Sequence, residues 1–145
     1  MLDEALSAPD NVARQLARDD AAYAALAGQL RSRPLQGLLT LARGSSDHAA
    51  HHLAYLVMAR LGRLVTSLPM SLVTLHHSRL AGPGLGSFAF SQSGQSPDLL
   101  EPTRAFREAG ALTVALVNAT DSPLADAAEH VLPLHAGTER SVAAT

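Results

Sequence analysis

Small polar side chains are concentrated in two short segments of the chain, and each segment lies between an apolar run and the start of a helical pattern. They are Ser45, Ser46, Ser91, Gln92, Ser93 and Ser96. Hydroxyl groups and backbone amides at a helix N-terminus attract anions, and a neighbouring glycine lets an anion approach the backbone closely. Since the chain contains no lysine, the segments predict a neutral cradle of hydroxyls and amides for a phosphate group. In the alternative interpretation, these serines only cap helices.

One acidic side chain, Glu139, follows the last apolar run of the chain. An acid at the start of a helix suits the helix dipole, which is the simpler interpretation. A carboxylate can also remove a proton from carbon as a general base. The local pattern favours the first interpretation. The second depends on the predicted position of Glu139, which faces the same sheet edge as the serine segments.

Two other patterns could be taken for reactive sites. His48 and His52 are four residues apart on one helix face, as metal ligands can be, but no third ligand at a suitable spacing joins them. Ser93 lies in a turn that resembles a nucleophile elbow, but the chain lacks the glycine two residues before the serine that such a strained turn requires. We therefore predict neither a metal site nor a serine hydrolase.

The composition excludes several classes of protein. The chain has 145 residues, of which 47% are hydrophobic and 17% charged, and this fits one compact domain. A net charge of −2 and an aromatic content of 3% disfavour nucleic acid and anionic membranes as partners. There is no cysteine, and no apolar run approaches the roughly 18 residues of a membrane span. These features predict a cytoplasmic protein without a disulfide framework.

Five short apolar runs alternate with helical patterns along most of the chain. They occupy residues 38–42, 63–67, 86–90, 112–117 and 130–134. The runs are continuously apolar instead of alternating, which indicates strands covered on both faces. The pattern predicts a three-layer α/β/α sandwich with a five-stranded parallel sheet and flavodoxin-like winding. Ligands of such sheets bind beyond the carboxyl ends of the strands, where the serine segments lie.

Both ends of the chain differ from this alternating pattern. Residues 1–35 predict an N-terminal helical segment, with one helix capped by Asp10 and stopped at Arg33 and Pro34. Residues 36–145 form the predicted α/β domain. Residues 140–145 have the pattern of the first turns of a helix, so we expect the protein to continue beyond this sequence.

Three motifs, in order along the chain, resemble those of the SIS (sugar isomerase) domain family. Residues 90–98 resemble the signature S-x-S-G-x-[ST]-x-[DE], and residues 44–46 resemble the first phosphosugar loop of the family. Residues 136–145 resemble the stretch A-G-x-E-x-x-V-A-[AS]-T. The last motif is typical of the first of two SIS domains in proteins similar to the isomerase half of glucosamine-6-phosphate synthase. Glucosamine-6-phosphate deaminases and tagatose-6-phosphate ketose-aldose isomerases are related.

The resemblance implies a role for each candidate residue. The positions that bind the sugar phosphate are Ser91, Gln92, Ser93 and Ser96, and those that contact the sugar are Ser46 and, less directly, Ser45. Glu139 matches the glutamate that moves a proton between C1 and C2 in family isomerases. The implied reaction is aldose–ketose isomerisation, alone or coupled to amine loss, without a metal or cofactor. The implied ligand is a sugar phosphate of the glucosamine-6-phosphate or fructose-6-phosphate type.

The sequence also departs from the family pattern. Arg43 stands where synthase-like relatives often carry a small residue. The family's ring-opening histidine, a second SIS domain and a glutamine-hydrolysing domain have no counterpart within these residues. The alternatives to an isomerase are a non-catalytic module that senses sugar phosphate and a structural half-domain. We expect a homodimer, because a missing second domain would leave apolar surface uncovered.

Overall fold

The computed structural model describes residues 2–138, apart from the side chain of Asp3. Within these residues the N-terminal helices are α1 (Leu2–Leu6), α2 (Ala8–Arg18) and α3 (Asp20–Ser32). The alternating part begins with β1 (Gly37–Leu41), α4 (Ser46–Leu61), β2 (Val65–Ser67), α5 (Ser71–Thr74) and β3 (Leu85–Ser91). It continues with α6 (Pro97–Glu108), β4 (Leu112–Val117), α7 (Pro123–Ala127) and β5 (His130–Pro133).

The five strands form one parallel sheet in the order β2-β1-β3-β4-β5. This is the flavodoxin-like order, so the predicted three-layer fold is confirmed. The chain leaves β1 toward β2 on one side and leaves β3 toward β4 on the other. A crevice therefore opens between the carboxyl ends of β1 and β3, which is the usual ligand position in open sheets of this kind.

Two apolar clusters cover the two faces of the sheet. On one face, Phe106 of α6 and Leu124 of α7 pack in a cluster with Val117. On the other face, Leu26 of α3 packs in a cluster with Val114. Since alternate residues of β4 enter opposite clusters, the strand must be apolar throughout. This explains the continuous apolar run at residues 112–117, whose bounds the structure matches.

The single N-terminal helix expected from the sequence is wrong. Ser7, not Asp10, precedes α2, and the helical run breaks at Asp19, whose φ of −105° and ψ of 16° are not helical. Leu16 of α2 is 63% exposed, whereas Leu26 of α3 is buried. The spacing of apolar residues alone could not show the break, because it does not reveal that Leu16 of α2 faces solvent while Leu26 of α3 faces the core.

The short helix α5 is not among the helices that the sequence predicts. Among residues 2–138, no helix combines the length and the hydropathy that crossing a bilayer requires.

Candidate functional site

Three loops extend from the carboxyl edge of the sheet. They are the first loop (residues 42–46, after β1), the cradle loop (residues 91–96, which begins with the last residue of β3) and the β5 loop (residues 134–138). Ala89 pairs with Leu41, the last residue of β1, so β3 extends two residues, about 7 Å, further. Ser91 pairs with Val117 at the end of β4, and Val117 in turn pairs with Pro133 of β5. The sheet register therefore brings together the segments that carry the candidate residues.

The cradle loop is a tight turn held by its own serines. The Ser91 hydroxyl oxygen accepts a hydrogen bond from the Gly94 backbone amide at 3.0 Å, and the Ser93 hydroxyl oxygen accepts one from Gln95 at 3.3 Å. Ser91 is buried, whereas Gln92 is exposed. Ser93 is half-buried, as is Ser96 at the end of the loop. Ser91 therefore shapes the turn from beneath, and the other polar side chains lie at its surface.

Gly94 is the residue on which the shape of the cradle loop depends. Its φ is +64°, in the left-handed region, and its carbonyl accepts a hydrogen bond from Leu124 of α7 at 3.2 Å. A methyl group at Gly94 would overlap the Ser122 hydroxyl oxygen and approach the Ser122 Cβ atom to 2.5 Å. Ser122 is fully buried and caps α7 by accepting a hydrogen bond from Ala125 at 3.4 Å. The start of α7 thus forms the floor of the cradle loop.

The first loop ends in a turn that opens α4. Gly44 has a φ of +59°, and its carbonyl accepts a hydrogen bond from the Asp47 amide at 3.2 Å. Ser45 is exposed and Ser46 is half-buried. Neither Ser45 nor Ser96 makes the side-chain hydrogen bond of a helix cap. The interpretation of these two serines as helix caps is therefore wrong, and the helices do not occupy their hydroxyls.

Arg43 joins the first loop to the start of α6. Its guanidinium lies 2.6 Å from the Asp98 carboxylate, with the two side chains 65% and 41% exposed. Exposed pairs of this kind contribute little to stability, typically about 0–1 kcal/mol. The pair is nevertheless relevant to the site, because it places a cation and its counter-ion beside the two serine segments.

The chain after β5 reaches the same edge, and Asn118 connects it to the cradle loop. The Asn118 backbone amide donates to the Gln92 carbonyl at 3.1 Å. Its side-chain oxygen accepts from the Ala136 amide at 2.9 Å, and its side-chain nitrogen donates to the Gly137 carbonyl at 2.7 Å. Sequence reasoning missed Asn118. The available signal was a polar residue directly after a buried strand, at the end where ligands bind.

Glu139, the candidate base, lies outside the described residues, as does the helix start expected at residues 140–145. The described part of the chain ends one residue earlier, at Thr138 in the β5 loop. The structure therefore places the segment leading to Glu139 at the carboxyl edge of the sheet.

The described residues present two cavities of different character. The larger, of about 840 Å³, lies along α6 and residues 77–80, and none of the candidate site residues lines it. The smaller, of about 440 Å³, is lined by Arg14, Arg18, Asn118, His135 and Gly137. It lies at the carboxyl edge, beside the β5 loop, so the N-terminal helices contribute to this edge as well.

Among the histidines of α4, His51 contacts Asp47, with its Nδ1 atom 2.7 Å from the Asp47 carbonyl oxygen. Within residues 2–138, no three His, Asp or Glu side chains are arranged to hold a metal ion.

These features define an open, parallel α/β protein with a serine-rich turn at the switch point of its sheet. Residues 36–145 match the SIS domain family, and the chain belongs to that family.

Two comparisons show which proteins this chain resembles. It is 35% identical over 108 residues, 74% of its length, to glutamine–fructose-6-phosphate aminotransferase (isomerizing) from Sulfolobus acidocaldarius. A crystal structure from Silicibacter pomeroyi, assigned as a phosphosugar isomerase, is 41% identical, covers 97% of this chain and superposes with a TM-score of 0.92.

A further solved structure shares the fold at lower identity. The structure of the Vibrio vulnificus NanR protein complexed with ManNAc-6P is 22% identical, covers 90% of this chain and 49% of its own, and has a TM-score of 0.76.

This chain spans 18% of the Sulfolobus protein and 43% of the Silicibacter chain. The activities of those longer proteins are therefore not transferred to it by similarity.

Proposed function

We propose that this chain is the sugar-phosphate-binding SIS domain of an aldose–ketose isomerase or of an amino-sugar-phosphate isomerase or deaminase. The cradle loop is the observation that carries the proposal. Its left-handed Gly94 and its surface serines lie at the β1/β3 switch point, between the starts of α4 and α6. Family membership supports the same ligand class, since the Sulfolobus relative is named for fructose 6-phosphate.

The proposed ligand is held by neutral donors. Ser91, Gln92, Ser93 and Ser96 donate to the phosphate, and Ser91 also holds the turn by accepting the Gly94 amide. Ser45 and Ser46 contact the sugar from the first loop. The N-termini of α4 and α6 supply partial positive charge, which offsets the absence of lysine.

The proposed reaction moves a proton between neighbouring carbons. The Glu139 carboxylate removes a proton from the carbon next to the carbonyl and returns it to the former carbonyl carbon, while the hydroxyl proton of the neighbouring carbon passes to the former carbonyl oxygen. Backbone amides of the first loop are candidates to stabilise the oxyanion of the enediol that forms between these steps. These steps require no metal or cofactor.

Ser93→Ala is expected to weaken binding of glucosamine 6-phosphate and fructose 6-phosphate by about 1–3 kcal/mol, the usual value of a hydrogen bond to a charged group. Isothermal titration calorimetry of the full-length protein measures this loss. Ser32→Ala is the matched control, because it removes an exposed hydroxyl that only contacts Gln29 at the end of α3. Equal affinities of the two variants, or no binding by the folded wild-type protein, would refute the proposed phosphate site.

Asp98→Asn is expected to strengthen sugar-phosphate binding severalfold at low ionic strength. The substitution removes a negative charge beside the cradle and frees Arg43, and one unit charge at short range in water is equivalent to about 1 kcal/mol. Glu101→Gln, one turn further along α6, is the charge-matched control. The difference in affinity between the two variants should disappear near 1 M salt, where the Debye screening length is about 3 Å. An effect that persists at high salt would exclude this electrostatic cause.

The alternative function is a module that senses sugar phosphate without converting it. The fold favours it as a second candidate, because NanR shares this fold and its structure contains ManNAc-6P. Saturable binding by the full-length protein without interconversion of glucose and fructose phosphates or loss of amine would support the sensor. Turnover that disappears in Glu139→Gln while binding remains would support the enzyme.

Three further features of the protein stay predictions. These are the division into an N-terminal helical segment (residues 1–35) and a SIS domain (residues 36–145), the cytoplasmic location, and the homodimer. Exposed apolar side chains such as Leu61, at 66%, and Leu64, at 78%, are available to an interface. Sedimentation analysis would test the dimer directly.

A further inference from the structure

The β5 loop has a backbone conformation that requires support from its surroundings. His135 has a φ of +55°, and Gly137, two residues later, has a φ of +80°. A side-chain-bearing residue in the left-handed region costs about 1–2 kcal/mol, and such conformations persist only where other contacts impose them. The contacts of His135 therefore identify the residues that keep the β5 loop in this conformation.

The N-terminal helices hold the β5 loop from one side. The His135 Nε2 atom lies 2.9 and 3.1 Å from the two carboxylate oxygens of Asp19, to which its N–H group donates. The side chains of Asp19 and His135 are only 12% and 24% exposed, so this pair is partly shielded from water. Gln15 also donates to the Pro133 carbonyl at 2.8 Å, and Arg14 donates to the His135 carbonyl at 3.4 Å.

The sheet holds the same loop from the other side, through the Asn118 hydrogen bonds to Ala136 and Gly137. Asp19 lies at the break between α2 and α3, and its side chain makes no capping hydrogen bond to α3. The carboxylate therefore contacts the loop instead of its own helix. Burial raises the pKa of Tyr23, and the negative charge of Asp19 raises it further.

We propose that Asp19 is a positioning residue, which fixes the β5 loop through His135. The effect on catalysis rests on the proposed function, in which Glu139 follows this loop directly in the sequence. The N-terminal helices then contribute to the site, although the three sequence motifs lie outside them. Because the helical run breaks at Asp19, this residue lies at the end of a helix, where its side chain reaches the β5 loop.

Asp19→Ala and Asp20→Ala form a matched pair for testing this role. Each removes one carboxylate near the start of α3, but Asp20 is exposed and Asp19 contacts His135. Loss of a charge-assisted hydrogen bond of about 1.5–3 kcal/mol should speed local opening of the loop at least tenfold. Hydrogen–deuterium exchange of the full-length protein should show this at the Ala136 amide in Asp19→Ala, with the amides of β4 unchanged. Asp20→Ala should resemble the wild-type protein.

Kinetics separate positioning from general stability. For Asp19→Ala we expect kcat for sugar-phosphate isomerisation to fall at least about tenfold, with KM close to the wild-type value. His135→Asn should reproduce this pattern, because asparagine tolerates a positive φ but does not reproduce the imidazole contact. Exchange rates equal to those of Asp20→Ala, or an unchanged kcat in a variant with a loosened loop, would overturn the proposal. If the wild-type protein binds no sugar phosphate, the proposed function fails, whereas the exchange comparison still decides whether Asp19 holds the loop.

Discussion

Gly94→Ala is expected to abolish sugar-phosphate binding and to lower the free energy of unfolding by about 3 kcal/mol. The left-handed φ of +64° costs about 1–2 kcal/mol for alanine. The new methyl group also overlaps the buried Ser122 side chain, and overpacking of this kind costs about 1–3 kcal/mol. Because Ser122 caps α7, neither side can move without breaking a hydrogen bond. Calorimetric titration and chemical denaturation measure the two losses.

Two other glycines provide controls that separate strain from overlap. Gly44 has a similar φ of +59°, but nothing lies within 4 Å of an added methyl group, so Gly44→Ala should show only the backbone strain. Gly28 lies inside α3 with a negative φ and open space, so Gly28→Ala should stabilise the helix by as much as about 1 kcal/mol. A Gly94→Ala protein as stable as Gly44→Ala would show that α7 does not form a rigid floor beneath the cradle loop.

Glu139→Gln is expected to reduce turnover by about two to four orders of magnitude, the usual contribution of a general base. Glutamine keeps the size of the side chain and one acceptor oxygen, but its other oxygen is replaced by an NH2 group, so it cannot accept a proton from carbon. Affinity for sugar phosphate should stay close to that of the wild-type protein, because the cradle loop and the first loop are unchanged. Turnover assays and calorimetric titration of the full-length protein measure the two quantities.

The control for this substitution is Glu108→Gln, an exposed change at the end of α6. It should leave both turnover and affinity unchanged. Full activity of Glu139→Gln would remove Glu139 from the mechanism and leave its helix-start interpretation as the remaining one. Loss of affinity together with turnover would instead indicate that Glu139 contributes to binding.

Much of the fold could be predicted because it depends on local patterns. Each strand of a covered parallel sheet must be apolar on both faces, so continuous runs mark the strands, and β4 matches its prediction at both ends. The Ser-Pro pairs at residues 96–97 and 122–123 mark the starts of α6 and α7. The parallel order then places every loop that follows a strand at one edge.

The cradle loop could also be located from the sequence, although the role of one of its serines could not. Five polar residues around a glycine, between a strand and a helix, identify the turn. Ser91 is buried and accepts the Gly94 amide, while the Gly94 carbonyl accepts from Leu124 of α7, which lies about thirty residues further along the chain. Local spacing does not contain that contact.

The sequence by itself determined the order of the five strands and of α4, α6 and α7 between them, the sheet edge at which ligands bind and the glycine turn of the cradle. These features depend on the spacing of buried residues along each element and on the backbone conformations that glycine can adopt. A few neighbouring residues determine both. Only the tertiary structure decided the break at Asp19, the Arg43–Asp98 ion pair and the Asn118 link between two loops. The contacts made by these residues join groups on separate elements. Asp19 and His135, for example, are 116 positions apart in the sequence. Such contacts form only once the sheet has brought those elements together.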